Sequence, residues 1–265
     1  VDHYKALLAL HADYSAAHNN VGWFYLQMRQ LKEAAAEFKE ALRADRSLSM
    51  TYYGLVNIYL YQTGDVDSAA TWTRRQLAIC GEQALAYDNL GYALVGKDSL
   101  QQAVSCFQKV IELDPKYVVA RFRLSDTYRM LGQFKDAVPP LDQILRADSS
   151  ESWALYQLGL LSQSLGNQQA ARNYFEMFRL AAERWVKEAP TDGKKYLALG
   201  MVLSRLGYEQ QSLEMSRRGM ALDSSAHFEI AQLLAVQGKH QESIDQLELA
   251  IRNGFTNYVW IKIHP

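Results

Sequence analysis

The sequence predicts an all-α protein, a solenoid built from antiparallel helix pairs. Three observations point to it. Apolar residues recur every three or four positions along nearly the whole chain, the period of a helix with one buried face. Short polar breaks, several holding Gly or Pro, cut these runs into pieces. The whole pattern then returns after roughly 34 residues, a period that marks stacked helical hairpins.

The clearest copy is residues 84–117, ALAYDNLGYALVGKDSLQQAVSCFQKVIELDPKY. Ala86, Leu90, Ala93 and Leu94 line one face of a first helix. Gly96-Lys97-Asp98 breaks it. Leu100, Ala103, Val104, Phe107, Val110 and Ile111 line a second helix, which Asp114-Pro115 ends. Proline lacks the N–H a helix needs and disfavours helix in the residue before it. Small Gly91 and Ala103 let the helices approach; large Leu90 and Phe107 fill the space beside them. One hairpin cannot bury its apolar faces alone, so each copy needs its neighbours.

Tyr87, Leu90-Gly91, Ala103, Phe107 and Pro115 fall on the W-x2-L-G … A-x3-F … P spacing of the tetratricopeptide repeat. The chain resembles that family, and a bacterial member of it. The resemblance implies a right-handed superhelix of about seven repeats plus a leading half repeat. It also implies a protein–protein interaction scaffold rather than an enzyme.

Residues 1–14 read as the second helix of an incomplete repeat, with Tyr4, Leu7 and Leu8 on its apolar face. Residues 15–48 form the first whole copy, with Gly22, Ala34 and Phe38 on pattern and Arg46 at the proline site. Residues 50–83 are weaker: Asn57 stands at the small site and Thr73 at the aromatic one. Residues 118–151 follow 84–117, and Pro139-Pro140 is expected to kink or delay their second helix. In 152–185 the second helix overruns through Phe178, Ala182 and Trp185 toward Ala189. Pro190-Thr191-Asp192-Gly193 then breaks the series. Copies at 193–226 and 224–257 are the most degenerate.

The expected organisation is an array over 1–189, a linker or hinge at 190–192, two further repeats over 193–257 and a closing segment at 258–265. Phe255, Tyr258, Trp260 and Ile261 would cover the apolar end of the stack. Val1 begins mid-pattern without an initiating methionine, so more chain is expected upstream.

Composition narrows the function classes. With 49% hydrophobic and 22% charged residues and only 5 prolines, the chain is globular rather than disordered. A net charge of −1 gives no broad pull toward nucleic acid or a membrane surface. Arg74-Arg75, Lys194-Lys195 and Arg217-Arg218 are separate pairs, so nucleic acid is not the expected partner. No apolar run nears the roughly 20 residues of a membrane span. Cys80 and Cys106 are expected to be structural thiols, which leaves cytoplasm and periplasm both open.

No P-loop, dinucleotide fingerprint or nucleophile elbow appears. His18 and His227 occupy large-residue packing sites, and no histidine has the cysteines or carboxylates that would complete a metal site. The expected catalytic, metal and cofactor sets are therefore empty.

The family resemblance implies that first helices line an inner groove. On this chain it places Asn19, Trp23, Ile58, Tyr61, Asp88, Asn89, Tyr92, Phe122, Arg123, Asp126, Arg129 and Tyr156 at or beside that groove. Aromatic side chains there suit protein recognition; mutual packing between repeats is the alternative. Asp88, Asn89, Arg123, Asp126 and Arg129 form a charged cluster near the middle. It would either pair internally or capture a charged group of a partner. Only Asn89 and Arg123 match the carboxylate-gripping set of chaperone-binding members, with Gly54, Ile58 and Val119 at the other places. A groove ladder of asparagines is likewise incomplete: Asn20 and Asn89 fit, Leu55, Arg123 and Gln157 do not. The expected ligand is an extended or helical segment of a partner protein. Alternatives are a regulatory arm of a longer enzyme or transcription regulator, and self-association through an end of the array.

Overall fold

A computed structural model describes residues 14–149 and 151–253. The expected leading half repeat and closing segment lie outside the described residues. The rest is helical, with no strand among the described residues.

The chain forms two compact units, divided between Leu131 and Gly132. The first holds α1 (Ser15–Gln27), α2 (Leu31–Ala44), α3 (Ser49–Asn57) continued by a π turn (Ile58–Gln62), and α4 (Val66–Cys80). It goes on with α5 (Ala84–Gly96), α6 (Leu100–Leu113) and α7 (Val118–Met130). The second holds α8 (Phe134–Ala147), α9 (Ser152–Ser164), α10 (Gln168–Glu188), α11 (Gly193–Arg205), α12 (Glu209–Leu222), α13 (His227–Val236) and α14 (His240–Arg252).

Each hairpin of the regular kind closes on a glycine–phenylalanine contact. A methyl group added at Gly91 would lie 2.7 Å from the Phe107 ring; at Gly159 it would lie 2.4 Å from Phe175. Gly22 and Gly54 both abut Phe38, so that ring serves its own hairpin and the next first helix. Phe38, Phe107 and Phe175 are fully buried. A buried aromatic of this kind carries several kcal/mol of packing, about 3–5 on truncation to alanine.

The second copy solves the same problem differently. Its helices begin at residues 49 and 66, where other pairs begin at 15 and 31 or 84 and 100. One extra residue is present, and the π turn absorbs it: Thr63 N–H bonds Ile58 C=O at 3.0 Å, an i to i+5 link. Counted from the helix start, the small site is therefore Val56, not Asn57. Val56 and Thr73, both fully buried, stand where Gly and Phe stand elsewhere, a redistribution of volume between the facing helices.

The turn inside each hairpin needs one residue with positive φ. Gly64, Gly132, Gly166, Gly207 and Gly238 supply it in five copies, and Arg29 (φ 57°) and Asp98 (φ 58°) adopt it in two.

In the second unit, α8 begins at Phe134 with no delay and contains Pro139 and Pro140. The backbone bonds they forfeit would reach Lys135 and Asp136, whose residues are exposed to water. Helix α10 overruns to Glu188. The break at 190–192 lies inside this unit, because Phe178 and Ala182 of α10 share one apolar core with Leu197 and Val202 of α11 and Ile230 of α13. Asp192 caps α11 by accepting from Lys194 N–H at 3.1 Å.

Candidate functional site in the first unit

The π turn, α5 and the start of α7 bring five of the expected groove residues together: Tyr61, Asp88, Asn89, Tyr92 and Arg123. Tyr61 and Tyr92 stack with ring centroids 5.9 Å apart. The Arg123 guanidinium sits 4.3 Å over the Tyr92 ring and pairs with Asp88 Oδ2. Tyr117, just before α7, donates its hydroxyl to the same oxygen at 3.1 Å. The Tyr61 hydroxyl donates to Asn89 Oδ1 at 2.9 Å. Arg123 also hydrogen-bonds Tyr61.

Burial decides what this cluster is worth. Asp88 is 2% exposed and Asn89 1%. A buried carboxylate is tolerated because the arginine neutralises it and two donors reach one oxygen. Its other oxygen, Oδ1, has no hydrogen-bond partner, and neither has Asn89 Nδ2. Native interiors seldom leave such atoms unmet, at about 1–3 kcal/mol each. Burial raises the Tyr61 phenol above its ordinary value, against the pull of Arg123. Burial and then Asp88 push Tyr117 up to about 12. Both phenols are therefore protonated donors across the biological pH range.

The remaining expected residues are placed separately. Asp126 and Arg129 pair with each other along α7 at 3.4 Å. Burial pushes the Asp126 carboxyl up to about 6, with Arg129 pulling the other way. Phe122 is half-buried on the same helix. Asn19 accepts from Thr51 Oγ1 at 2.9 Å. Trp23 packs edge-on against Phe38, centroids 5.4 Å apart, and leans on Tyr53. Ile58 is buried with Leu55 and Phe38. Tyr156 belongs to the second unit, buried among Trp153, Phe175 and Phe178. Sequence reasoning passed over Tyr117 as a hydrogen-bond donor. The only signal was its place immediately before a first helix, 29 residues after an acid on the preceding first helix.

The imidazoles of His18 and His227 make hydrogen bonds, His18 Nδ1 lying 2.6 Å from Glu37 Oε2 and His227 Nδ1 2.9 Å from Gln246 Oε1. Cys80 and Cys106 are free thiols. Burial pushes Cys106 up to about 11, so it is an unreactive thiol. Among the described residues no three His, Cys, Asp or Glu side chains group as metal ligands, and no helix is long and apolar enough to cross a membrane.

Sequence profiles of the tetratricopeptide repeat match residues 1–49, 84–117, 106–138 and 153–180. The chain belongs to the tetratricopeptide-repeat family. It is 23% identical over 244 residues to cellulose synthase operon protein C of Pseudomonas fluorescens (strain SBW25), covering 87% of this chain and 19% of that protein. It thus spans between 12% and 38% of the length of the curated relatives it matches. Among solved structures it is similar to MamA, with TM-score 0.60, 23% identity, and coverage of 63% here and 97% there. It is also similar to YrrB, described as a tetratricopeptide-repeat protein with an unusual peptide-binding site, with TM-score 0.55, 16% identity, and coverage of 92% and 97%. At these identities the structural likenesses establish the fold. Repeats of this family mediate protein–protein interaction and are generally non-catalytic scaffolds.

Proposed function

We propose that the chain is a non-catalytic scaffold that binds a segment of a partner protein on the first-helix face of its first unit. The binding surface is built from Tyr61, Asn89, Tyr92, Phe122 and Arg123, with Asn19 and Trp23 on α1, and Asp126 and Arg129 further along α7. One observation carries the reading: Asp88 Oδ1 and Asn89 Nδ2 are buried without hydrogen-bond partners, in residues bonded by half-buried Arg123 and Tyr61. A fold that holds a donor and an acceptor unmet gains by receiving a group that satisfies them. The half-buried rings of Tyr61 and Phe122 supply contact area with little side-chain entropy to lose, while Tyr92, 3% exposed, backs Tyr61 from within.

The test is selection of binding peptides from a random display library on the intact protein, followed by Asn89→Ala and Phe122→Ala. The reading expects both substitutions to weaken the selected peptides while circular dichroism stays unchanged. Peptides indifferent to both place recognition elsewhere.

A second reading has one observation in its favour. The curated relatives are far longer than this chain. On that reading the repeats are the interaction arm of a larger protein, which supplies any activity of its own. Extending the coding sequence on both sides decides it.

A further inference from the structure

The loops that join one hairpin to the next lie along one edge of the first unit, because successive helices run antiparallel. That edge exposes a row of apolar side chains. Met50, Leu85 and Val119 are the second residues of α3, α5 and α7; Ile79 and Leu113 are the fourteenth residues of α4 and α6. Each adjoins or nearly adjoins a connecting loop. All five are exposed, as is Val118, with Met50 at 59% and Val119 at 48%. Single exposed apolar side chains are ordinary. Recurrence at two fixed registers over successive connections is not, and contiguous apolar surface marks an interaction site. In the first copy the same registers hold Ala16 and Ala44. The other edge, where each hairpin turns, carries Arg29, Thr63, Asp65, Lys97 and Asp98.

Bonds between consecutive connections hold the row together. Ser49 Oγ donates to Gln83 Oε1 at 2.8 Å. Ser49 adjoins Met50, and Gln83 stands two residues before Leu85. Cys80 Sγ, next to Ile79, lies 3.6 Å from the Ser47 carbonyl oxygen. Lys109 of α6 pairs with Glu82 at 3.2 Å, and the Tyr117 hydroxyl reaches Asp88 of α5 at 3.1 Å.

Charge decides which occupant the row fits. Loop 45–48 carries Asp45 and Arg46, and loop 114–117 carries Asp114 and Lys116. Loop 81–83, between them, carries Glu82, which Lys109 neutralises. These three anions and three cations sum to zero, so they exert no pull on an anionic lipid or nucleic acid. Their order is self-complementary. A two-fold axis through the middle loop sets the first loop of one chain against the third loop of another. Arg46 then faces Asp114, Lys116 faces Asp45, and Met50 meets Val119. Leu85 and Ile79 lie nearest the axis. Glu82 approaches its own counterpart there, and the pairing with Lys109 removes the repulsion.

We propose that this edge binds the same edge of a second copy, as a two-fold dimer centred on Leu85. The inference is independent of the partner-binding reading above.

Sedimentation equilibrium on the intact protein tests it. The expected result is a monomer–dimer equilibrium at micromolar concentration, and a monomer that persists to submillimolar concentration overturns the proposal. Leu85→Asp sets like charges against each other at the axis and should weaken the dimer about a hundredfold, with circular dichroism unchanged. A dimer indifferent to this substitution overturns the edge as the interface. A charge exchange at exposed loop sites reads the pairing without touching an apolar residue. Arg46→Asp alone and Asp114→Arg alone should each weaken the dimer about tenfold, and the two together should return it to within about threefold of the parent. Losses that add in the double variant overturn the two-fold arrangement.

Discussion

Helix α5 in the first unit and helix α9 in the second bury the same register, their fifth residue, and fill it with opposite chemistry. In α5 it is Asp88, paired with Arg123 and Tyr117. In α9 it is Tyr156, its ring 5.2 Å from Phe178 and 5.6 Å from Phe175, its hydroxyl bonded by Arg205. Trp153 and Trp185 complete that aromatic cluster, which the overrun of α10 makes possible by carrying Trp185 to within 6.2 Å of Trp153. Both positions are buried and both engage an arginine from a later first helix. Yet the buried side-chain atoms left unpaired among the described residues, Gln76 Oε1, Asp88 Oδ1 and Asn89 Nδ2, all fall in the first unit. One backbone pattern thus serves two ends. The aromatic version is saturated and contributes packing. The ionised version keeps unmet groups, which the proposed partner segment would satisfy.

The sharpest way to break this comparison is to remove the arginine from each. Arg123→Ala strands a carboxylate in the interior and should cost the first unit about 3 kcal/mol, a discounted figure because Arg123 itself reaches solvent. Adding Asp88→Asn should restore most of the loss. Arg205→Ala leaves a neutral phenol and should cost the second unit about 1 kcal/mol. Urea denaturation followed by hydrogen exchange, unit by unit, reads both. Equal costs would mean that Asp88 is not carrying buried charge.

Asp126 offers a pH-resolved version of the test. Its carboxyl is raised by burial to about 6 from an ordinary 3.8. The folded protein therefore binds this proton more tightly than the unfolded one does. Stability from this group is greatest below about pH 4, falls as pH rises through 6, and is flat above. Asp126→Asn should stabilise the first unit by about 2 kcal/mol at pH 7, with the gain vanishing near pH 4. A gain independent of pH would point to packing rather than charge.

The smallest effect concerns the hairpin turns. Arg29 adopts a positive φ where other copies use glycine. Arg29→Gly should raise stability by about 0.5–1 kcal/mol, readable as a small rise in melting temperature. A loss would mean that its contact with Gln62, 3.5 Å away, outweighs the backbone strain.

Most of the fold is legible in the sequence, because the glycine–phenylalanine contacts at Gly22/Phe38, Gly91/Phe107 and Gly159/Phe175 repeat at fixed spacing. The second copy is misread by one residue. Its extra residue is taken up by a π turn, which leaves no local signal and shifts the small site from Asn57 to Val56. The unit boundary at Leu131/Gly132 is hidden for a related reason: its turn residues look like those inside every other hairpin. The overt break at 190–192 follows a longer α10, and one apolar core holds residues from both sides of it. At the site, Asp88, Asn89 and Arg123 stand out by type and spacing. Their hydrogen-bond directions do not, because those depend on Tyr61 and Tyr117, brought from other elements.

Hydrogen exchange on the intact protein with a display-selected peptide bound tests the central claim most directly. The account predicts added protection over the π turn, α5 and α7, lost on Asn89→Ala. Protection confined to α9 and α10 around Trp153 would contradict it.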